Sequence, residues 1–321
     1  MNALVTGGAG FIGSHLAARL LTDGHRVTVL DNLSTGNTKR ISRLAVRFIE
    51  GDVRDYRMIR QALQDVDAIF HLAAVVGVPH AMTHQWDSLT TNILGTHNLL
   101  NAADAGQIPI FVASSSAIYG KVAQSPVSEE DDICLGNTHK PSWTYSYAKL
   151  AEEELALAAA HERSVCVKIG RYFNVIGPGQ SAAYGMVVPR FIARALRGDP
   201  LPVYGNGTQT RTFADVEDVV NATLAMWNRA PWGSVYNIGG QQEITILELA
   251  RKIIQLTHST SEIHLIPYEL AFGKGFEEPL RRRPSTAKIH TLGYTPRFSL
   301  DETIMRVVKS MTEESESELT P

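Results

Sequence analysis

Cysteine is scarce in this chain: Cys134 and Cys166 are the two among 321 residues. That rules out a disulfide framework and points to a reducing cytoplasm. Cys134 reads as a surface thiol in a loop, and Cys166 as a core residue of an expected strand. Long apolar runs are also missing. None approaches the ~20 residues that a transmembrane helix needs, so no membrane partner is expected. Net charge is small, −3 at pH 7, which leaves no electrostatic signal for nucleic acid or an anionic surface. Met1-Asn2-Ala3-Leu4-Val5 runs directly into a strand, without a basic leader or cleavage site. No metal ligands stand at recognisable spacing, so no metal is expected. Internal repeats are absent. Residues 313–321 hold four Glu among Ser and Thr, a composition that reads as a disordered acidic tail.

What is present begins at the first strand. Residues 2–6 are apolar and run straight into Gly7-Gly8-Ala9-Gly10-Phe11-Ile12-Gly13. A helix follows to about Leu21 and stops at Asp23-Gly24. Val27–Leu30 is a second strand and ends at Asp31. In such a unit the first glycine permits the tight turn, and the next lets the backbone approach a pyrophosphate. The last lets helix pack on strand. The helix N-terminus offers free N–H groups and positive potential to phosphates. Asp31 lies about 20 residues on, where a carboxylate accepts from both adenosine ribose hydroxyls and repels a 2′-phosphate. No arginine adjoins it in sequence. NAD is therefore expected over NADP.

Strands and helices keep alternating. Val46–Glu50, Ala68–His71, Ile108–Ala113 and Val165–Ile169 read as further strands. After the first of these comes Gly51-Asp52-Val53, where Asp52 either meets the adenine amino group or caps a helix starting near Tyr56. Leu72-Ala73-Ala74 supplies small side chains where backbone passes close to a cofactor. Repeated units of this kind give an α/β fold, a Rossmann-type doubly wound parallel sheet with ligands at the C-terminal strand ends. Residues 1–170 are expected to form the NAD-binding domain. Residues 171–312 are expected to form a smaller α/β cap that binds substrate, with excursions back to the sheet such as Val235–Ile238. Thr245-x-x-Glu248 and Ser299-x-x-Glu302 are capping boxes within it. Tyr145 and Lys149 lie four apart, on one face of a helix. An ammonium there favours the ionised phenol, which can take a proton from a sugar hydroxyl while hydride leaves the same carbon.

With these residues in place, the chain resembles the extended short-chain dehydrogenase/reductases that act on nucleotide sugars, the NAD-dependent epimerase/dehydratase family typified by UDP-hexose 4-epimerases. The resemblance spans roughly residues 2–311. It rests on Thr6–Gly13, Asp31-Asn32-Leu33-Ser34-Thr35-Gly36, Gly51-Asp52-Val53, His71–Ala74, Ser114–Gly120, Tyr145-x-x-x-Lys149, Arg171–Pro178 and Gly205–Arg211. It implies that Ser115, Tyr145 and Lys149 are catalytic: Tyr145 as acid/base at the sugar O4, Lys149 on the nicotinamide ribose, Ser115 on the same hydroxyl. It implies a cofactor site of Gly7, Gly10, Phe11, Ile12, Asp31, Asn32, Ser34, Asp52, Val53, Leu72, Ala73, Ala74, Tyr145, Lys149 and Tyr172. Asn92 matches a helix residue that braces the site, and Phe173 lies with Tyr172 near the nicotinamide. Asn174 and Arg211 would hold a diphosphate, with Arg282, from Arg281-Arg282-Arg283, as a further contact. Val188 and Tyr204 would flank the base, usually uracil. The implied partners are a UDP-sugar and a second copy, packed through the helices that begin near Asn92 and carry Tyr145.

Two departures bear on the outcome. The family's 4,6-dehydratases have an Asp-Glu pair where this chain has Ser116 and Ala117. Its decarboxylases commonly have Glu at the Ala117 position. The pattern is nearest to 4-epimerases, so transient C4 oxidation of a UDP-hexose or UDP-N-acetylhexosamine with net 4-epimerisation is expected, NAD being tightly held and regenerated. The alternative is the exo-glycal outcome of the tunicamycin-pathway UDP-N-acetylglucosamine 5,6-dehydratases, with an unassigned residue acting at C5. A non-catalytic NAD-binding sensor is the third reading, opposed by the intact Ser115, Tyr145 and Lys149. His80 is a candidate second acid/base, with a hydrogen-bonded loop histidine as the ordinary alternative. Tyr147 reads as packing.

Overall fold

The computed structural model describes residues 1–122, 124–182, 186–273, 276–277 and 279–319. The first half alternates strand and helix: β1 (Asn2–Thr6), α1 (Phe11–Thr22), β2 (Arg26–Asp31), β3 (Arg47–Glu50), α2 (Tyr56–Ala62), β4 (Ala68–His71), α3 (Val78–Thr83), α4 (Gln85–Gly106), β5 (Ile110–Ser115), α5 (Thr144–Arg163) and β6 (Val167–Tyr172). Then come β7 (Val175–Ile176), α6 (Val187–Arg197), β8 (Leu201–Tyr204), β9 (Thr210–Thr212), β10 (Ala214–Asp215), α7 (Val216–Arg229) and β11 (Ser234–Ile238). The chain ends through β12 (Glu243–Thr245), α8 (Ile246–Leu256), β13 (Ile263–Ile266), α9 (Tyr268–Phe272), α10 (Ala287–His290) and α11 (Leu300–Leu319).

Seven strands form the central sheet in the order β11-β6-β5-β4-β1-β2-β3, and every pairing is parallel. A parallel sheet is buried on both faces, which is why its strands read as near-continuous apolar runs. Ala3 and Val5 face the core under α1 and α7, while Leu4 faces the opposite core with α2, α4 and α5. Full burial of each such side chain stabilises by about 1.5–3 kcal/mol. In β4-β1-β2 the order in which strands are added changes sense at β1, the switch point where doubly wound sheets open a crevice. A third core joins α6, α8, α11 and β8. In α8, Thr245 and Glu248 cap each other reciprocally, and Ser299 and Glu302 do the same at α11.

Several local expectations change. β5 and β6 lie two residues later than the apolar runs suggest. Ser114 and Ser115 pair with Arg171 and Tyr172 in register; Glu153 satisfies the side chains of Ser114 and Arg171. Cys166 precedes β6 and is exposed rather than core, and Cys134 is exposed as expected. The acidic stretch from Glu313 continues α11 to Leu319; glutamate is a good helix former, and the helix is already nucleated by its cap. His80 lies on α3 rather than in a loop.

Candidate active site

The cofactor end is built by β1, the turn after it, and α1. Gly7 has φ +70°, and a Cβ on it would stand 2.7 Å from the Ala73 backbone nitrogen. Only glycine lets the two strand ends come this close. Gly10 stands as N-cap of α1 with no side chain capping the helix, so the N-terminal N–H groups remain available to a phosphate. Asp31 is buried at the tip of β2. Its Oδ2 accepts from Ala9 N at 3.0 Å and its Oδ1 from Leu33 N at 2.9 Å. Burial pushes its pKa up, against the pull of these N–H groups and of Arg40. That arginine, distant in sequence, faces Asp31 but spends its guanidinium on Gly179 O at 3.0 Å. The turn, the uncapped helix end and the terminal carboxylate fit a dinucleotide.

Of the two roles expected for Asp52, capping α2 is not the one it takes. Its carboxylate pairs with Arg54 at 2.7 Å and accepts from Asn32 at 3.0 Å. The Arg54 hydrogen bond holds its pKa down at about 2. Asp55, not Asp52, caps α2. The cavity wall here is Val53 and Arg54.

The residues expected to be catalytic lie where α5 packs on β5 and β6. Ser115, Tyr145 and Lys149 line the same cavity as Gly7, Gly10, Phe11, Ile12, Asp31, Asn32, Ser34, Leu72, Ala73, Ala74 and Tyr172. Its volume is about 730 Å³, within the range of small-molecule clefts. Lys149 is buried and donates to Ala113 O at 2.9 Å and Glu152 Oε2 at 3.0 Å. Burial alone would lower its pKa, but the Glu152 carboxylate and the Tyr145 phenol outweigh that and raise it. The ammonium therefore stays charged beside Tyr145. Ser115 Oγ accepts from Ala117 N at 3.2 Å, which fixes the hydroxyl at the strand tip. Ser116 and Ala117 follow in a buried 3₁₀ turn and bring no ionisable group. Asn92 braces the β4 loop, accepting from Val75 N at 2.7 Å. Tyr147 turns away and donates to Gly136 O at 2.5 Å.

The far end of the cavity is lined by Asn174, Val188, Tyr204, Arg211 and Arg282. Asn174 donates to Thr212 O at 2.8 Å, and Arg211 to Thr210 O at 2.7 Å. Arg281 instead pairs with Glu243 at 2.9 Å, so Arg281 and Arg282 are differently engaged. Arg190, which sequence reasoning missed, lies over the Tyr204 ring at 4.7 Å and donates to its hydroxyl at 2.9 Å.

Two buried carboxylates were also missed. Glu153 holds Arg171 at 2.5 Å and accepts from Ser114 at 2.6 Å. Arg171 then donates to Tyr119, and Tyr119 to Asn237. Glu152 is pushed up to about 7 by burial, against the pull of Lys149. Its spacing of three from Lys149 was the available signal.

Known proteins match this arrangement. The model of the NAD dependent epimerase/dehydratase family matches residues 3–239. A UDP-N-acetyl-alpha-D-glucosaminuronate decarboxylase of Bacillus cytotoxicus is 40% identical over 310 residues, covering 95% of this chain and 96% of its own. The UDP-glucose 4-epimerase structure of Thermotoga maritima superposes with TM-score 0.90 at 31% identity, over 98% of this chain and 100% of that one. A dTDP-glucose 4,6-dehydratase of Streptomyces venezuelae, solved with NAD, superposes with TM-score 0.89 at 28% identity, over 99% and 98%. The chain belongs to the NAD-dependent epimerase/dehydratase family. It is an enzyme of that family, and NAD is its cofactor.

Proposed function

We propose that this enzyme oxidises C4 of a UDP-N-acetylhexosamine to a 4-keto intermediate and loses water across C5 and C6 before the sugar is reduced again. The observation that carries the C4 step is Tyr145 and Ser115 in one cavity with a buried, charged Lys149. Bound NAD supplies the hydride acceptor at C4 and returns the hydride at the end of each turnover, so it is expected to be tightly held. Ionised Tyr145 takes the O4 proton, and Ser115 holds that oxygen. Lys149 keeps the phenolate favoured and reaches the nicotinamide ribose. Gly7, Gly10, Phe11, Ile12, Asp31, Asn32 and Ser34 take the adenosine and pyrophosphate side. Asn174, Arg211 and Arg282 take the sugar's diphosphate, where guanidinium forks suit phosphate oxygens. Val188 and Tyr204 take uracil.

The outcome is weighed at C5 and C6. A 4-ketone acidifies the C5 proton, so a base near C5 leads to elimination. The Bacillus cytotoxicus relative is named for loss of a uronate carboxyl, which is C6 chemistry, and for an N-acetylated UDP-sugar. Net 4-epimerisation is the second reading. It is supported by the small neutral Ser116 and Ala117 and by the likeness to a UDP-glucose 4-epimerase. Incubation with UDP-GlcNAc in deuterium oxide separates the two. A 5,6-unsaturated product with water lost is expected. A C4 epimer without solvent deuterium overturns the elimination, and release of carbon dioxide from the corresponding uronate would point to decarboxylation. We also infer a homodimer through α4 and α5, working in a reducing cytoplasm.

A further inference from the structure

The wall between α3 and the turn before α5 holds groups that O4 chemistry does not use. The 3₁₀ turn Pro141–Trp143 leads straight into α5, and α3 packs against both. His80 and His84 stack their rings 4.4 Å apart, 22° from parallel, and both line the cavity. His84 Nδ1 stands 2.9 Å from Thr83 Oγ1, and Asn92 holds the loop before α3 at Val75. Ser142 also lines the cavity. It is 5% exposed, and its Oγ has no hydrogen-bond partner among the described residues. An orphaned buried hydroxyl costs about 1–3 kcal/mol unless something in the cavity meets it.

We propose that this wall is the subsite for the C5–C6 end of the sugar, with His80 as the acid/base at C5 and Ser142 holding the 6-hydroxyl. The assignment rests on the 4-keto elimination proposed above. The carboxylates that line the cavity, Asp31, Asp87 and Glu277, are each engaged elsewhere. Tyr145 serves O4. Glu277 is bound by Lys121 at 2.6 Å, Lys140 at 2.5 Å and Trp143 at 2.9 Å. Asp87 pairs with Arg54 at 3.3 Å, and Asp31 belongs to the adenosine end. Imidazole is the side chain that both accepts and gives a proton around neutrality, which suits one residue to both halves of an elimination. His80 takes the C5 proton of the 4-keto sugar. The electron pair of that C–H bond forms the enolate, then the C5–C6 double bond, and the C6–O bond breaks. The imidazolium gives its proton to the departing oxygen, which leaves as water. His80 ends as it began, and no oxidant or further reactant is consumed. Ser142 orients the leaving hydroxyl toward that proton. His84 stacks behind His80 and keeps its ring in plane.

The test uses UDP-GlcNAc and the full-length enzyme with NAD. In His80→Ala, C5 deuterium uptake and water loss are expected to fall at least 100-fold, within the range of general acid–base catalysis. The nicotinamide absorbance rise on mixing with UDP-GlcNAc should remain, because C4 oxidation does not need this residue. Added imidazole should restore part of the C5 exchange. His80→Gln, close in shape, should behave alike, and a melting curve for each variant separates misfolding from chemistry. Ser142→Ala is expected to lower water loss about tenfold while C5 exchange persists. Undiminished C5 exchange in both folded His80 variants overturns the assignment and leaves the elimination standing. A wild-type enzyme that gives only the C4 epimer, with no C5 exchange, overturns both.

Discussion

Tyr145 stands half-buried at the head of α5, one helical turn from Lys149. Tyr145→Phe removes one oxygen and little else. Turnover is expected to fall about 10³-fold, the scale of lost acid–base catalysis, while bound NAD stays oxidised when UDP-sugar is added. Stopped-flow absorbance of the nicotinamide measures both; an unaltered rise in the Phe variant would remove Tyr145 from the O4 step. Asp31 makes a second residue-scale case. Its carboxylate already accepts two backbone N–H bonds, yet two carboxylate oxygens have further lone pairs for a ribose. Asp31→Asn keeps the shape and loses the charge. The nicotinamide content of the purified protein is expected to drop, and NAD affinity to weaken about 10- to 100-fold, the worth of one charged hydrogen bond. Equal NAD content in the two proteins would refute the ribose contact. The placement of both residues was legible in the sequence because each sits in a local pattern: a strand end for Asp31, a helical repeat for Tyr145 and Lys149.

At the scale of elements, β1, β4, α4 and α5 are tied by a buried polar chain. Thr6 meets His71 Nδ1 at 2.8 Å, and His71 Nε2 meets Thr96 at 3.0 Å. Lys149 donates to Glu152 Oε2 at 3.0 Å, and Thr96 pulls the pKa of the same carboxyl down. None of this was readable beforehand. His71 and Thr96 are 25 residues apart, and a carboxylate in a Glu-Glu-Glu run looks solvated until the fold buries it. The same blindness hid Asp52's bond to Arg54 and Arg40's approach to Asp31, since side-chain partners across loops leave no periodicity. The chain carries a pH signature. Burial lowers His71 to about 3, so the unfolded state gains protons there first. Stability from His71 is present above about 6.5 and is lost as pH falls toward 3. Burial raises Glu152 to about 7, so its contribution runs the other way. There the folded state holds the proton, and stability falls as pH rises from about 4.5 to 7. The two slopes oppose each other between pH 4.5 and 6.5. Denaturant unfolding in that window should show Glu152→Gln losing stability toward acid and His71→Gln gaining it, each by about 1.4 kcal/mol per pH unit relative to the wild type. Parallel slopes in the two variants would mean that neither group titrates as its surroundings dictate.

For the whole molecule, the sheet was legible because both its faces are buried, and periodic apolar runs survive any detail of the loops. What the chain does outside itself is less inscribed. α4 and α5 pack side by side on one face of the sheet, and α4 still shows Leu94 at 48% exposed and Trp86 at 79%. Among the described residues no helix is long and apolar enough to cross a membrane. A second copy of the α4–α5 pair would cover that apolar surface isologously, each Leu94 facing the partner's matching surface. The interface would lie behind the helix that holds Tyr145 and Lys149, so dimerisation and the rigidity of the catalytic face would be linked. Sedimentation equilibrium at micromolar concentration is expected to give twice the mass of the 35.2 kDa chain. Leu94→Glu places a charge at that contact and should yield monomers, which are expected to bind NAD but turn over UDP-sugar more slowly, as α5 loses its support. A wild-type monomer at that concentration would place the apolar face of α4 outside any self-association and leave the catalytic helix to be held by its own subunit alone.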